Sequence, residues 1–564
     1  MSARYAIGID LGTTQSVIAY SDLTADSPSL ELLAVPQLLA ASTVGERSAL
    51  PSFLYLATDS EASSGSYDLP WLHRPAYGVG EWARQRSAEA PTRTVVAAKS
   101  WLGHSRVDRH QPILPWQAPE GVPQISPVSA QQRYLEHLRA AWNAAHPEAP
   151  LAEQQVVLTV PASFDAAARE LTREAALAAG LPADLVLLEE PQAAVYAWLA
   201  DRGERWREEL GENDRLLVAD IGGGTTDFSL IGVEAADGEL TLRRLAVGDH
   251  LLVGGDNMDL TLAHLAQGRF AERGVEVDAW QSVSLWHACR QAKESLLRED
   301  GPQAHPVTVL GRGSRLIGGT ISVDLERQPI TATLVDGFFP QCSLQDRPMG
   351  QRGSGFMEVG LPFESDAAIT RHLAHFLGRH EGRPTHVLFN GGVLKPRLLR
   401  QRLLDVLGSW YDQAPQPLQG EPDLDHAVAR GAAYYGATKV QGGIRIRGGV
   451  ARSYYLGIET AGLAIPGAPR PLKALCVVPQ GMEEGSEVDV PGGGGGLVVG
   501  ESASFRFFSS TVRQGDPPGQ LLDRWSPDEL IETDPLEAHL PSSSDTAGEV
   551  VPVTFRSRIT ELGV

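Results

Sequence analysis

The sequence is short of lysine: of 48 basic residues only Lys99, Lys293, Lys395, Lys439 and Lys473 are lysines, and the rest are arginines. A coding bias toward arginine accounts for the average. Each surviving lysine is then a position where a compact ammonium serves better than a flat guanidinium. Cysteine is scarcer still. Cys289, Cys342 and Cys476 stand far apart, which excludes a disulfide framework and a cysteine zinc site and fits a reduced, cytoplasmic setting with each thiol as small core filler. No apolar run reaches the ~18 residues of a membrane span, and the apolar start is interrupted by Asp10 without a basic leader, which speaks against a transmembrane helix and a signal peptide. Positive charge is lacking overall: the formal net charge is −22, so no basic surface for nucleic acid or an anionic membrane is expected.

The chain is rich in glycine, with 58 in 564 residues, and 42% of it is hydrophobic. That length suits three or four units of about 150 residues. The glycines gather at telling places. "LLVADIGGGTTDFSLIGV" (216–233) is an apolar strand that stops at three glycines and two threonines, with Asp220 before them and Asp227 after. "YAIGIDLGTTQSVIAYSD" (5–22) repeats the device with Asp10, Gly12, Thr13 and Thr14. Both read as hairpins. A tip of Gly and Thr turns several backbone N–H groups to one side with nothing bulky to repel an anion, so it can cradle phosphate. Asp10 and Asp220 would repel phosphate themselves, but they can hold Mg²⁺ between the strands and the phosphates, directly or through water. Two such cradles facing each other would grip a nucleoside triphosphate from both sides.

The rest of the first 440 residues alternates strands and helices, an α/β pattern. Helices are predicted over 129–146 with Ser129 as cap, after Pro161 with Ser163 or Asp165 as cap, over 192–202, near 256–273, 279–299 and 366–379, and near 396–411 and 424–439. Strands are predicted at 4–10, 16–21, before Pro161, before Pro191, at "THVLFNGG" and over 307–334; a proline-rich loop at 111–128 and a glycine-rich loop at 350–355 are also expected. The histidines of "RHLAHFLGRH" (His372, His375, His380) read as a solvated helix face rather than a metal site. The composition shifts near 441. "QGGIRIRGGVARS" is a linker candidate over 441–452, and 453–564 holds short strands with Gly492–Gly496 as a loop. The last residues read as part of a strand, so a chain cut short at Val564 is expected.

"IGIDLGTTQSVIA", "VVLTVPASFDAAAR", "LLEEPQAA", "VADIGGGTTDFS" and "DHLLVGGDNMD" resemble, in order, segments of the seventy-kilodalton heat-shock chaperones (DnaK-like), which belong to the actin–hexokinase ATPase superfamily; "FNGGVLKP" and "DLDHAVARGAA" resemble their adenosine-side segments. The resemblance runs over residues 4–440 and, more faintly, 453–564. It implies a two-lobed actin-like ATPase domain, residues 1–440, and a β-sandwich-like peptide-binding domain after the linker. It also implies ATP or ADP with Mg²⁺ as ligands, unfolded or extended polypeptides as clients, and co-chaperones or an exchange factor as partners.

Carried over residue by residue, Gly12, Thr13, Thr14 and Gln15 match the first phosphate loop, and Gly222, Gly223, Gly224 and Thr225 the second. "AAKSWLG" puts Lys99 at the position of a hydrolytic lysine. Glu190, Asp10 and Asp220 match carboxylates near the metal, and Asp227 one that orders water. Thr13, Lys99, Glu190, Thr225 and Asp227 are the implied catalytic set. Gly254, Gly255, Arg290, Lys293, Glu294, Gly391, Gly392, Lys395 and Asp425 complete the nucleotide contacts. Pro161 and Arg169 match a relay toward the substrate domain. The base pocket departs from the family: the charges at Arg290 and Glu294 are exchanged, and Lys395 replaces a stacking arginine. The linker is basic where the family's is apolar and acidic, so coupling is expected to be weak or to use other contacts. The leading reading is a hydrolysing chaperone switch; the alternative is a nucleotide-gated module or exchange factor with little turnover. A small-molecule kinase on the same superfold would leave the β-rich region unexplained.

Overall fold

The computed structural model describes residues 3–25, 29–104, 107–236, 239–310, 320–350, 361, 363–420, 423–444, 446–447, 449–450, 452–459, 472–482, 486–492, 495–498, 502–513, 515–539 and 550–559. Its first part is built on two sheets of matching strand order. In the first, a hairpin of Tyr5–Leu11 and Gln15–Asp22 is extended in parallel by Gln155–Val160 and then Val186–Glu189. In the second, a hairpin of Arg215–Ile221 and Thr226–Ala236 is extended in parallel by His386–Asn390 and then Gln416–Pro417, with Glu239–Val247 on its other side. The first strands of both hairpins are almost wholly buried, as strands covered on both faces must be.

Helices supply the cover. Pro127–Ala145 and Ala166–Ala178 pack Tyr134, Leu138, Trp142, Leu171 and Ala175 against Ile7, Ile9 and Leu158 of the first sheet. The helix after the first sheet, Glu190–Arg202, crosses to the second and buries Val195 and Leu199 against Leu216 and Val218. The helix after the second sheet, Ala427–Gln441, returns to the first and lays Ala429 and Ala433 on Val17 and Ala19. The two crossing helices meet at Gly431, where an added Cβ would lie 1.7 Å from the Ala193 carbonyl oxygen. Only glycine fits there, and the alanine-rich composition of both helices has the same cause: close approach of two backbones.

Several local expectations change. Ser126 caps the helix Pro127–Ala145, accepting from the Ser129 backbone N–H at 3.0 Å, with Pro127 in the first turn where its missing N–H costs nothing. Asp165 caps Ala166–Ala178, which relieves Ser163 of that task. The strand-like segments expected near 307–334 are a hairpin of Ala304–Leu310 and Thr320–Glu326, but the end of that stretch belongs to a helix, Arg327–Phe338; Pro329 sits in that helix's first turn, where a proline is tolerated. The loop expected at 350–355 lies outside the described residues beyond Gly350. Cys289 and Cys476 are buried, but Cys342 is only half-buried.

The 441–452 segment is docked rather than loose. Ile446–Arg447 pairs in parallel with the edge strand Glu239–Val247, and Ile446 is buried with its N–H on the Tyr196 hydroxyl at 2.8 Å. Beyond it, Leu521–Leu522, Leu472–Val478, Ser453–Glu459, Ser502–Ser510 and Ile531–His539 form an antiparallel sheet over Tyr455, Cys476 and Phe508. Glu487–Asp489 pairs with Arg556–Arg558, and Gly495–Val498 with Val550–Val553, so part of the expected glycine loop is a strand. Among the described residues no helix is long and apolar enough to cross a membrane.

Candidate nucleotide site

The two hairpin tips meet. A Cβ added at Gly223 would come within 2.3 Å of Thr14 Cγ2, and one at Gly224 within 3.0 Å of Thr13 Cγ2. Each tip is braced differently. Ser52 donates its hydroxyl to the Gly12 carbonyl at 2.7 Å and its N–H to the Thr14 carbonyl at 3.0 Å. The second tip is braced by the start of helix Gly255–Glu272: the Gly255 and Asp256 N–H groups donate to the Gly222 and Gly223 carbonyls at 3.0 and 2.7 Å. Gly254 lies beneath this tip, where a Cβ would meet the Gly222 and Gly223 carbonyls at 2.6 and 2.7 Å.

Between the tips opens a cleft of about 990 Å³. Asp10, Gly12, Thr13, Thr14, Gln15, Lys99, Glu190, Asp220, Gly222, Gly223, Thr225 and Asp227 line one end, and Gly255, Arg290, Lys293, Glu294, Gly391, Gly392, Lys395 and Asp425 the other. Of the residues proposed from sequence, Gly224 and Gly254 support the tip from outside that lining.

The phosphate end is crowded with carboxylates. Asp220 and Asp227 stand opposite each other across the hairpin, a placement that like charges disfavour. Lys99 pairs with Glu190 inside the protein. Burial opposes the Lys99 ammonium, but Glu190 and Asp10 outweigh it and hold its pKa above the ordinary value. Burial pushes the Glu190 carboxyl up to about 7, the neighbouring Asp10 charge adding to it and Lys99 opposing. Asp10 is raised by burial despite Lys99 and the Thr159 hydroxyl, which donates to it at 3.1 Å. Asp220 is raised well above its usual value by burial and by Glu190, although Asn390 donates to it at 2.8 Å. One ammonium cannot balance Asp10, Glu190, Asp220 and Asp227. Among the described residues no group of three or more His, Cys, Asp or Glu side chains could hold a metal unaided. Hard oxygen donors with a surplus of negative charge nevertheless fit Mg²⁺, which takes one or two carboxylates and completes its shell with water and phosphate.

The other end is held by ion pairs. Arg290 binds both Asp256 and Asp259, the latter at 2.9 Å, and Lys293 reaches Asp259 at 2.6 Å and the Gly255 carbonyl at 2.9 Å. Lys395 pairs with Asp425 at 2.6 Å, and Gln15 donates to Asp425 at 3.1 Å. Gly391 has φ +86°, and a Cβ there would lie 2.3 Å from the Ile221 carbonyl and 2.8 Å from Asp220. Asp256, Asp259 and Asn390 were missed in the sequence. The i, i+3 spacing of the two aspartates just after a glycine pair, on a helix that faces Arg290 and Lys293, was the available signal.

Below the cleft, Arg169 is not on a solvated face. It donates to the Phe164 and Ala162 carbonyls at 3.0 and 3.1 Å and to Glu189 at 2.9 Å. Arg244 joins Glu189 to the Gly449 carbonyl. Burial would raise the Glu189 carboxyl, but Arg244 and Arg169 together lower it to about 2. Contacts between the 441–452 segment and the sheet below the cleft therefore exist in spite of the segment's basic composition. His372 is likewise buried, with Nε2 against the Asp366 carbonyl at 2.8 Å, and His380 is pulled down to about 4 by burial; these are not a solvated face.

Two like sheets, each offering a glycine-threonine tip to a shared cleft, fit an actin-like ATPase fold. Residues 73–308 match the Hsp70 protein family model. The chain is 34% identical over 272 residues to the chaperone protein HscA of Enterobacter sp. (strain 638), covering 46% of this chain and 37% of that protein. It is 30% identical over 365 residues to an HscA homolog of Shewanella baltica (strain OS195), covering 62% and 50%. The chain thus aligns with between a third and half of the length of these curated relatives. Over residues 73–308 the chain is thus similar to the Hsp70 family, and over between a third and half of their length to bacterial chaperones named HscA.

Proposed function

We propose that the chain is a Mg²⁺-dependent ATPase of chaperone type, with residues 1–440 as the nucleotide-binding domain, 441–452 as the linker and 453–564 as a β-sandwich-like region for extended polypeptide. The observation that carries this reading is Lys99, a lone buried ammonium among four carboxylates, set between two glycine-threonine tips. Thr13, Thr14 and Gly12 on one tip and Gly222, Gly223 and Thr225 on the other hold the phosphates through backbone N–H and hydroxyl groups. Lys99 sits where its ammonium can neutralise charge that grows on the transferred phosphoryl group, and Asp227 accepts from and orients the attacking water. Asp10, Asp220 and Glu190 would surround Mg²⁺, one or two of them as direct ligands and the rest through its waters, and the ion when bound would neutralise the phosphate oxygens. The Arg244 link between Glu189 and Gly449, beside Glu190, supports communication with the linker. The chaperone names of the relatives support polypeptide clients and co-chaperones; the net charge of −22 argues against nucleic acid or an anionic membrane.

A second reading, a nucleotide-gated module or exchange factor with little hydrolysis, is favoured by one feature: Arg290 is committed to Asp256 and Asp259 and so is not a spare stacking plane for a base. Single-turnover hydrolysis of Mg·ATP separates the two. The ATPase reading expects turnover in the native chain and a loss of about 10²–10⁴-fold in Lys99→Ala with nucleotide still bound. An unchanged rate in that variant would remove Lys99 from the chemistry, and a native chain that binds without turnover would favour the gated module.

A further inference from the structure

Outside the cleft, behind Asp227, lies a hydrogen-bonded group that the residues named so far leave unused. The Ser163 hydroxyl contacts Asp227 Oδ1 on one side and His250 Nδ1 on the other, the latter at 2.7 Å. Asp227 lines the cleft, whereas Ser163 and His250 do not. Ser163 and Asp227 are both buried, and the His250 ring is wedged edge-on against Phe164 with centroids 5.5 Å apart. His250 Nδ1 itself stands 3.7 Å from Asp227 Oδ1, so the serine is the bridge. His250 Nε2 is buried with no hydrogen-bond partner.

A hydroxyl carries one proton, and an ionised carboxylate can only accept. If the Ser163 proton pointed at His250, the serine and Asp227 oxygens would face each other with no hydrogen between them. With Asp227 ionised, as its role toward water requires, Ser163 must donate to Asp227 and His250 must donate its Nδ1–H to Ser163. The direction of both bonds is thereby fixed, and one oxygen of Asp227 is held from behind.

We infer that Ser163 and His250 are positioning residues for ATP hydrolysis: together they pin Asp227 Oδ1 so that its other oxygen is presented to the attacking water. The inference rests on the hydrolytic reading of Asp227 given above. It concerns the aim of that carboxylate and leaves nucleotide binding to the hairpin tips and the far end of the cleft. A carboxylate that must order water gains from a fixed rotamer, because small errors of aim are costly in rate while binding is untouched.

The test is single-turnover hydrolysis together with Mg·ATP titration on the native chain, Ser163→Ala, Ser163→Thr, His250→Phe and the double variant Ser163→Ala/His250→Phe. The expected result is hydrolysis slowed about tenfold in Ser163→Ala and in His250→Phe, with dissociation constants within about threefold of native. The double variant should be no slower than the slower single, because both act through one bond, and Ser163→Thr should restore most of the rate. Native rates in both single variants, rate and affinity falling together, or losses that multiply in the double variant would each overturn the inference while leaving the ATPase reading intact. A native chain without turnover would overturn both, and is told apart by failing before any substitution is made.

Discussion

The two halves of the first 440 residues share a topology and bring different side chains to the cleft. In each, a hairpin is extended by two parallel strands, and in each an aspartate ends the first strand just before a glycine-threonine tip. What differs is what the chain inserts around the hairpin. The first half adds the segment carrying Ser52 and the helix Ala98–Leu102 carrying Lys99, and so supplies the cleft's one buried ammonium at the phosphate end. The second half adds helices Gly255–Glu272 and Ala279–Leu296, whose Asp256, Asp259, Arg290 and Lys293 lock one another across the far end. On the proposed reading, the duplicated sheets set where a nucleotide's phosphates sit, and the non-equivalent insertions decide what is done with them.

The sharpest break in this comparison comes at Gly391, where the second half packs against Ile221 and Asp220. Gly391→Ala places a Cβ against the Ile221 backbone at a positive φ, and should cost about 3 kcal/mol in chemical unfolding. A loss near zero would mean the strand end yields easily and does not define the cleft.

Next are the paired aspartates. Asp10→Asn and Asp220→Asn, one from each half, should each reduce the Mg²⁺-dependent part of nucleotide affinity by about 10–100-fold, alike for ATP and GTP. An effect confined to one of them would show that only one hairpin serves the metal.

The first half also buries His137, whose Nε2 meets the Pro36 carbonyl at 2.9 Å and whose pKa burial lowers to about 4. The unfolded chain binds a proton there near pH 6.5 and the folded chain does not, so stability must fall as pH drops from about 6.5 toward 4. His137→Gln should flatten that slope by about 1.5 kcal/mol between pH 6.5 and 5, read by urea unfolding at each pH. A slope unchanged in the variant would assign acid sensitivity to other groups, such as the half-buried His287 in the second half, which burial likewise pulls down to about 4.

The smallest effect is expected at the base. Because Arg290 and Lys293 are occupied by Asp256 and Asp259, and Lys395 by Asp425, ATP and GTP should differ by less than about tenfold in dissociation constant, under roughly 1.4 kcal/mol. A thousandfold preference for ATP would show that these ion pairs open to build a selective pocket.

Much of this was legible in the sequence, for reasons that differ by place. The hairpins and Lys99 could be read because a glycine-rich tip between apolar strands has few other uses, and because a lysine stands out among arginines. The helix caps at Ser126 and Asp165 were harder, since several serines and aspartates stand within a turn and only tertiary packing chooses among them. The docking of Ile446–Arg447 was hidden because a two-residue edge strand leaves no periodicity, and its composition pointed the wrong way. Ser163 and His250 are 87 residues apart, and nothing in either local sequence announces the other. Their meeting is a property of how the loop after Val160 folds against the start of the strand Thr226–Ala236, which carries Asp227.

On the proposed reading, one nucleotide is gripped by both hairpin tips at once. Calorimetric titration of Mg·ATP into the native chain, Gly12→Val and Gly223→Val, at a temperature where all three are folded, tests this directly. One site per chain, with affinity lost by about a hundredfold or more when either tip alone is filled, is the predicted result. Two sites per chain, or one tip that can be filled without loss, would contradict it.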